Sequence, residues 1–236
     1  MNDRPTALIT GATSGIGLAL ARILSIEYSL VLTGRREASE CADELPPGAQ
    51  YVKADFSDPQ AAVAEIEAAM RTAGLSRLDR LIINAGTGYY APVDREDSAM
   101  IRETLDVNLA APVLLTRHMV PFLEAAGGKV VFIGTVAHRG SPNMPAYSAS
   151  KAGLAGLARS LRSEWEGRIG VQIIHPGPTR TAMHKKAGYP GGSLERFFFS
   201  ADGMAEEIIR LMERDRLQAT VMLRAGFRRL LTGKWS

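Results

Sequence analysis

Along this chain, short continuous apolar runs alternate with longer stretches in which apolar residues recur every three or four positions. Runs near 6–10, 29–34, 50–54, 79–84, 129–134, 170–175 and 218–223 read as strands. Stretches such as LIIN at 81–84 and KVVFIG at 129–134 are apolar with no alternation, the pattern of strands covered on both faces. After the first run, Leu18, Leu20, Ile23, Leu24 and Ile26 supply a nearly continuous buried face, as for a helix lying on a sheet. Helical stretches separate every pair of strands in this reading. Regular alternation of strand and helix predicts an α/β fold: a doubly wound, seven-stranded parallel sheet with helices on both faces. Right-handed crossovers then put a ligand crevice at the carboxyl ends of the strands, where the winding reverses.

A length of 236 residues suits one domain spanning 1–236 and is ample for a buried core. Cys41 is the single cysteine, so no internal disulfide can form, and a reducing, cytoplasmic setting is expected. No apolar run approaches the roughly 20 residues of a membrane span, and the chain enters its first strand without room for a signal peptide. A soluble protein is expected. The net charge of +3 does not argue for nucleic acid. It is unevenly spread: Arg216, Arg224, Arg228, Arg229 and Lys234 follow one another with no acid between 216 and the end. That basic tail matches no nucleic-acid-binding module. The four histidines, His118, His138, His175 and His184, show no ligand spacing, and no metal is expected.

Candidate chemistry starts at Gly11-Ala12-Thr13-Ser14-Gly15-Ile16-Gly17, between the first strand and its helix. Glycines there let the backbone approach a pyrophosphate, and the helix N-terminus offers unpaired N–H groups and a positive dipole end. The spacing is GxxxGxG. Further on, Tyr147 and Lys151 stand four residues apart in AYSASKAG and so share one helix face. An ammonium beside a phenol favours the phenolate and draws its pKa down from about 10, which makes Tyr147 a candidate acid/base. Asn84-Ala85-Gly86 closes the fourth strand, and Pro176-Gly177 the sixth.

These four motifs, in this order, resemble the short-chain dehydrogenase/reductase family over nearly the whole chain. The resemblance implies a Rossmann-like domain, a nicotinamide cofactor and hydride transfer to or from a carbonyl carbon. It also implies that the backbone of Asn84, Ala85 and Gly86 lines the cofactor, alongside Gly11, Thr13, Ser14, Gly15, Ile16 and Gly17. Asp55, with Phe56 beside it, matches the position near the adenine amine, and Thr181, after Pro176, Gly177 and Thr179, the one that meets the nicotinamide carboxamide. At the end of the second strand an acid would favour NAD; this chain has Gly34, Arg35 and Arg36, so a guanidinium is available for a 2′-phosphate. NADP(H) is the expected cofactor. Asp58, followed by Pro59, reads instead as a helix cap.

One catalytic position departs from the commonest pattern. Where the family places serine, twelve residues before the tyrosine, this chain has Thr135. Threonine keeps the hydroxyl but its methyl restricts rotamers. Ser141, between Gly140 and Pro142, reads as a loop residue. Asn108 matches the asparagine that holds a relay water. The set Asn108, Thr135, Tyr147 and Lys151 implies an enzyme in which Tyr147 donates a proton to the substrate oxygen, Thr135 orients that oxygen, and Lys151 lowers the tyrosine pKa and holds the nicotinamide ribose. The alternative is a non-catalytic NADP(H)-binding regulatory protein, which would tolerate loss of these groups.

The resemblance implies a small carbonyl or alcohol substrate and a lid over about 182–200, whose Tyr189, Leu194, Phe197, Phe198 and Phe199 would give it an apolar face; the same phenylalanines could instead pack in the core. The resemblance implies a homo-oligomer paired through two long helices, here near 97–124 and 146–167; the second is rich in small residues, which would allow close helix approach or could instead fit it tightly on its own sheet. Over about 223–236, Leu223, Phe227, Leu230 and Leu231 share one face, with arginines on the others. Such a short helix needs a surface to dock on, and protein is favoured over membrane.

Overall fold

The structure, a computed structural model, describes residues 4–181, 187–188 and 198–222. Seven strands form one sheet: β1 (Thr6–Ile9), β2 (Ser29–Gly34), β3 (Gln50–Lys53), β4 (Arg80–Ile83), β5 (Lys129–Ile133), β6 (Gly170–Pro176) and β7 (Gln218–Val221). Their spatial order is β3-β2-β1-β4-β5-β6-β7, and every neighbouring pair is parallel. The winding reverses between β1 and β4, so a crevice opens beyond their carboxyl ends. Leu8, Ile9, Leu81, Ile82, Val130 and Val131 are fully buried, as their uninterrupted apolar runs require.

Two cores lie on opposite faces. Alternate side chains of one strand go to different cores: Leu81 and Val130 to one, Ile82 and Val131 to the other. On the first face pack α2 (Pro59–Thr72), α4 (Ala111–Ala126) and α5 (Pro145–Glu164). On the second, α1 (Gly15–Leu24) packs against the helix Ala201–Met212, here α6. Phe199, 7% exposed, belongs to this second core, which answers the lid-or-core question for that residue.

One connection differs from the alternation expected from sequence. Between β2 and β3 there is no α-helix, only two short 3-10 turns at 38–40 and 42–44. Pro46 and Pro47 follow, with no N–H to extend a helix, and Gly48 has φ 77°. Asp58 does cap α2, its Oδ1 accepting from the Ala61 N–H at 3.1 Å with Pro59 in the first turn.

The long helix expected over 97–124 is broken into α3 (Ser98–Leu105), a π turn over Asp106–Ala110 and then α4. Pro112 stands four residues after Asn108 and cannot donate to its carbonyl. The helix widens there, and the Ala111 N–H reaches the Asp106 carbonyl five residues back. Residues 223–236, with the amphipathic tail, and 182–186 and 189–197, with most of the expected lid, lie outside the described residues.

Candidate active site

The glycine loop joins β1 to α1 at the switch point. Gly11 and Gly15 have φ 65° and 55°, which side-chain-bearing residues rarely adopt. A Cβ on Gly11 would stand 2.8 Å from the Ala85 Cα, so the loop lies directly against the end of β4. Thr10 ties the two strand ends together, its hydroxyl accepting from the N–H groups of both Asn84 and Ala85 at 3.0 Å. The Asn84 side-chain amide donates back to the Thr10 and Gly11 carbonyls at 3.0 and 3.2 Å. Ser14 precedes α1 in extended backbone and makes no side-chain cap, which leaves the helix's first N–H groups for a ligand. Positive φ, close backbone approach and uncapped donors together fit a pyrophosphate.

Beyond β2 the two arginines take different environments. Arg36 is committed: Glu44 receives it bidentately at 2.9 and 3.0 Å, and it donates to the Thr13 carbonyl at 2.7 Å. It thereby pins the glycine loop. The Arg35 side chain is 55% exposed and has a long contact of 3.4 Å to Glu103 on α3. Glu103 also receives the Tyr89 hydroxyl. Asp55 uses Oδ1 to hold the Ser57 N–H at 3.0 Å, and the Phe56 ring is buried, which leaves its backbone for a ligand.

On the other side of the switch point, Thr135 follows β5, while Tyr147 and Lys151 project from α5. Tyr147 is 6% exposed and Lys151 4%. Burial pushes the Tyr147 phenol up, and a hydrogen bond with Thr135 pulls it the other way. Burial pushes the Lys151 ammonium down to about 8, and its Nζ donates to the Ile133 carbonyl at 3.2 Å. The lowering of the phenol by Lys151 expected from sequence is therefore not what governs Tyr147 here; desolvation dominates.

Asn108 is fully buried in the π turn. Its Oδ1 accepts from the Thr87 N–H at 2.9 Å, and its Nδ2 donates to the Thr87 carbonyl at 2.7 Å and to Ser150 Oγ at 3.1 Å. The side chain thus holds the loop after β4, and Pro112, four residues on, cannot donate to the Asn108 carbonyl. Gly86 threads between Asn108 and Lys151: a Cβ there would be 3.2 Å from Oδ1 and 3.4 Å from Nζ. Gly88 lies on the Tyr147 ring, at 2.7 Å from Cδ2 by the same measure.

Gly177 follows β6 with its Cα hard against the chain beyond β7, since a Cβ would meet the Met222 carbonyl at 2.5 Å. The Thr179 hydroxyl donates to the Gly177 carbonyl at 3.0 Å. Thr181 returns to the glycine loop, its methyl 3.4 Å from where a Gly15 Cβ would stand. The motifs at 11–17, 84–86, 135–151 and 176–181 are thus brought around one crevice. Sequence reasoning missed Thr10, whose signal was only a hydroxyl at the end of an apolar strand. It also missed His138 and His175, which it weighed only as metal ligands; among the described residues no cluster of His, Cys, Asp or Glu could hold an ion.

A parallel sheet with a phosphate-fitting glycine loop, and with a hydroxyl beside a buried phenol–ammonium pair at its switch point, defines a dinucleotide-dependent class of protein. A sequence model of the short chain dehydrogenase family matches residues 5–189. The chain belongs to that family. It is 33% identical to 11-beta-hydroxysteroid dehydrogenase A of Sesamum indicum over 78% of this chain, but spans only 55% of that relative's length. It is 31% identical to the uncharacterized oxidoreductase YciK of Escherichia coli, covering 79% of this chain and 78% of that one. A short-chain dehydrogenase from Sphingobium yanoikuyae, solved in complex with NADPH, superposes with a TM-score of 0.79 at 27% identity, over 98% of this chain and 96% of that one. No helix among the described residues is long and apolar enough to cross a membrane.

Proposed function

We propose that this chain is an NADP(H)-dependent oxidoreductase that moves a hydride between nicotinamide and the carbon of a carbonyl or secondary alcohol, with Tyr147 as general acid/base. The observation that carries the reading is the convergence at the strand ends, beside the glycine loop, of the half-buried Thr135 hydroxyl with the buried Tyr147 phenol and Lys151 ammonium. The nicotinamide, when bound, supplies or accepts the hydride. The N–H groups at the start of α1 and the backbone of Asn84, Ala85 and Gly86 hold the dinucleotide. Arg35 meets the 2′-phosphate, since its guanidinium is the exposed one and Arg36 is engaged with Glu44. The NADPH bound in the Sphingobium relative supports that cofactor choice.

Thr135 orients the substrate oxygen toward the phenol. Burial keeps Tyr147 protonated, the form consumed when a carbonyl is reduced. Lys151, close to neutrality at about 8, holds the ribose and takes part in returning the proton, with water on the Asn108 carbonyl completing the path. The assay is loss of NADPH absorbance against a panel of ketones, aldehydes and ketosteroids, the last included because of the hydroxysteroid dehydrogenase relative. Tyr147→Phe should lower turnover by at least about 100-fold, the lower range for a positioned acid, with NADPH affinity within about twofold. Undiminished turnover in that variant refutes the role of Tyr147.

A further inference from the structure

Three N–H groups converge on one carbonyl oxygen at the end of β5. The Thr135 carbonyl accepts from the His138 backbone N–H at 3.2 Å, from His138 Nδ1 at 2.6 Å and from His175 Nδ1 at 3.1 Å. A carbonyl can only accept, so both rings must carry their proton on Nδ1. The two imidazoles stack, with centroids 3.9 Å apart and planes at 25°. His138 comes from the 3-10 turn Val136–Arg139, and His175 from β6, where it is fully buried. Packing leaves little slack: a Cβ on Gly134 would stand 2.5 Å from His175 Nδ1. The strand on either side is tied down too, by Lys151 on the Ile133 carbonyl and by the Gly134 N–H on the Ile174 carbonyl at 2.7 Å.

We infer that His138 and His175 are positioning residues that act through Thr135: they clamp its carbonyl so that its hydroxyl is held toward Tyr147 and the substrate oxygen. The inference rests on the proposed role of Thr135. Thr135 stands in extended backbone (φ −164°), and its hydroxyl oxygen accepts from the Ala137 N–H at 3.3 Å, a long bond that by itself aims the side chain weakly. With that lone pair used, the hydroxyl proton is left to point at Tyr147, provided the peptide behind it does not rotate. Two ring donors on the carbonyl remove that rotation.

His175 also works as a neutral donor. Burial, and after it the neighbouring His138 ring, push His175 down to about 4, with Arg139 and Lys151 acting in the same direction. His175 therefore remains an uncharged donor throughout the neutral range. Its Nε2 is buried with no hydrogen-bond partner among the described residues, so the ring contributes its Nδ1 donor and its stacking.

The experiment compares Thr135→Ala, His175→Leu, His175→Asn and His138→Leu in the full chain. Readouts are kcat and KM for the most active carbonyl of the panel, NADPH Kd, thermal midpoint, and the pH limb of kcat that disappears in Tyr147→Phe. His175→Leu should lower kcat about 10-fold or more, leave NADPH Kd within about twofold, and move the Tyr147 limb up by about one pH unit, the weight of one hydrogen bond to a charged group. His175→Asn keeps a side-chain N–H at the same branch point and should restore most of kcat and return the limb. If Thr135→Ala loses kcat while His175→Leu and His138→Leu, both folded, keep it and leave the limb in place, the clamp is overturned and the Thr135 reading stands. If Thr135→Ala itself retains kcat, the underlying reading falls. Should His175→Leu not fold, His138→Leu, on the less buried ring, decides by the same readouts.

Discussion

Gly17→Ala sets two effects of opposite sign against each other. Gly17 is the third residue of α1, and intrinsic helix propensity favours alanine there by about 1 kcal/mol. The tertiary environment opposes it. An added Cβ would overlap both the Gly11 carbonyl oxygen and the Asn84 side-chain nitrogen, two atoms hydrogen-bonded to each other at 3.2 Å. Neither is the end of a flexible chain: Gly11 is backbone, and Asn84 is held by a second bond, to the Thr10 carbonyl at 3.0 Å. Overpacking costs about 1–3 kcal/mol, and a displaced buried hydrogen bond about 1 more. The net expectation is a destabilisation of about 1–3 kcal/mol. For a chain of this size each kcal/mol moves Tm by about 2–4 °C, so a fall of roughly 2–12 °C is expected. NADPH affinity should fall about 10-fold or more, because the displaced groups form the glycine loop. Calorimetry and a fluorescence titration with NADPH read the two effects. Gly156→Ala in α5 is the control, since its Cβ would meet only Arg159 Nη2 at 3.9 Å and propensity should raise Tm slightly. If Gly17→Ala raises Tm as the control does and leaves NADPH binding intact, the close approach of loop and strand described above is wrong.

Arg35→Ala should weaken NADPH about 10-fold or more and NADH by less than about twofold, since only NADPH carries the 2′-phosphate that a charge-assisted pair would hold; equal losses would assign Arg35 another task. Static light scattering should return a multiple of the 25.4 kDa chain mass at micromolar concentration, because Met100, Leu105 and Val113 leave apolar surface 37–42% exposed along α3 and α4. A monomer mass would reject the homo-oligomer.

The alternation of strands and helices was legible because it depends on local periodicity. A strand buried on both faces must be apolar throughout, and a helix on a sheet must repeat its apolar residues with its own turn. The glycine loop and the Tyr147–Lys151 pair were legible for the same reason: their chemistry is carried by residues close in sequence. Even the missing helix between β2 and β3 had its cause in plain view at Pro46 and Pro47. What the chain alone could not reveal are relations between distant segments. Which of two adjacent arginines keeps the more exposed guanidinium depended on where Glu44 and the Thr13 carbonyl lie. Whether burial or Lys151 governs the Tyr147 phenol is a matter of desolvation, and desolvation comes from everything packed around a group rather than from its neighbour four residues on. The clamp on Thr135 joins residues 3 and 40 positions away through one carbonyl oxygen. Local sequence determines what each segment is able to be; tertiary packing decides which polar groups are spent on structure and which remain for a ligand, because each donor, acceptor and charge is set by whatever else occupies its surroundings.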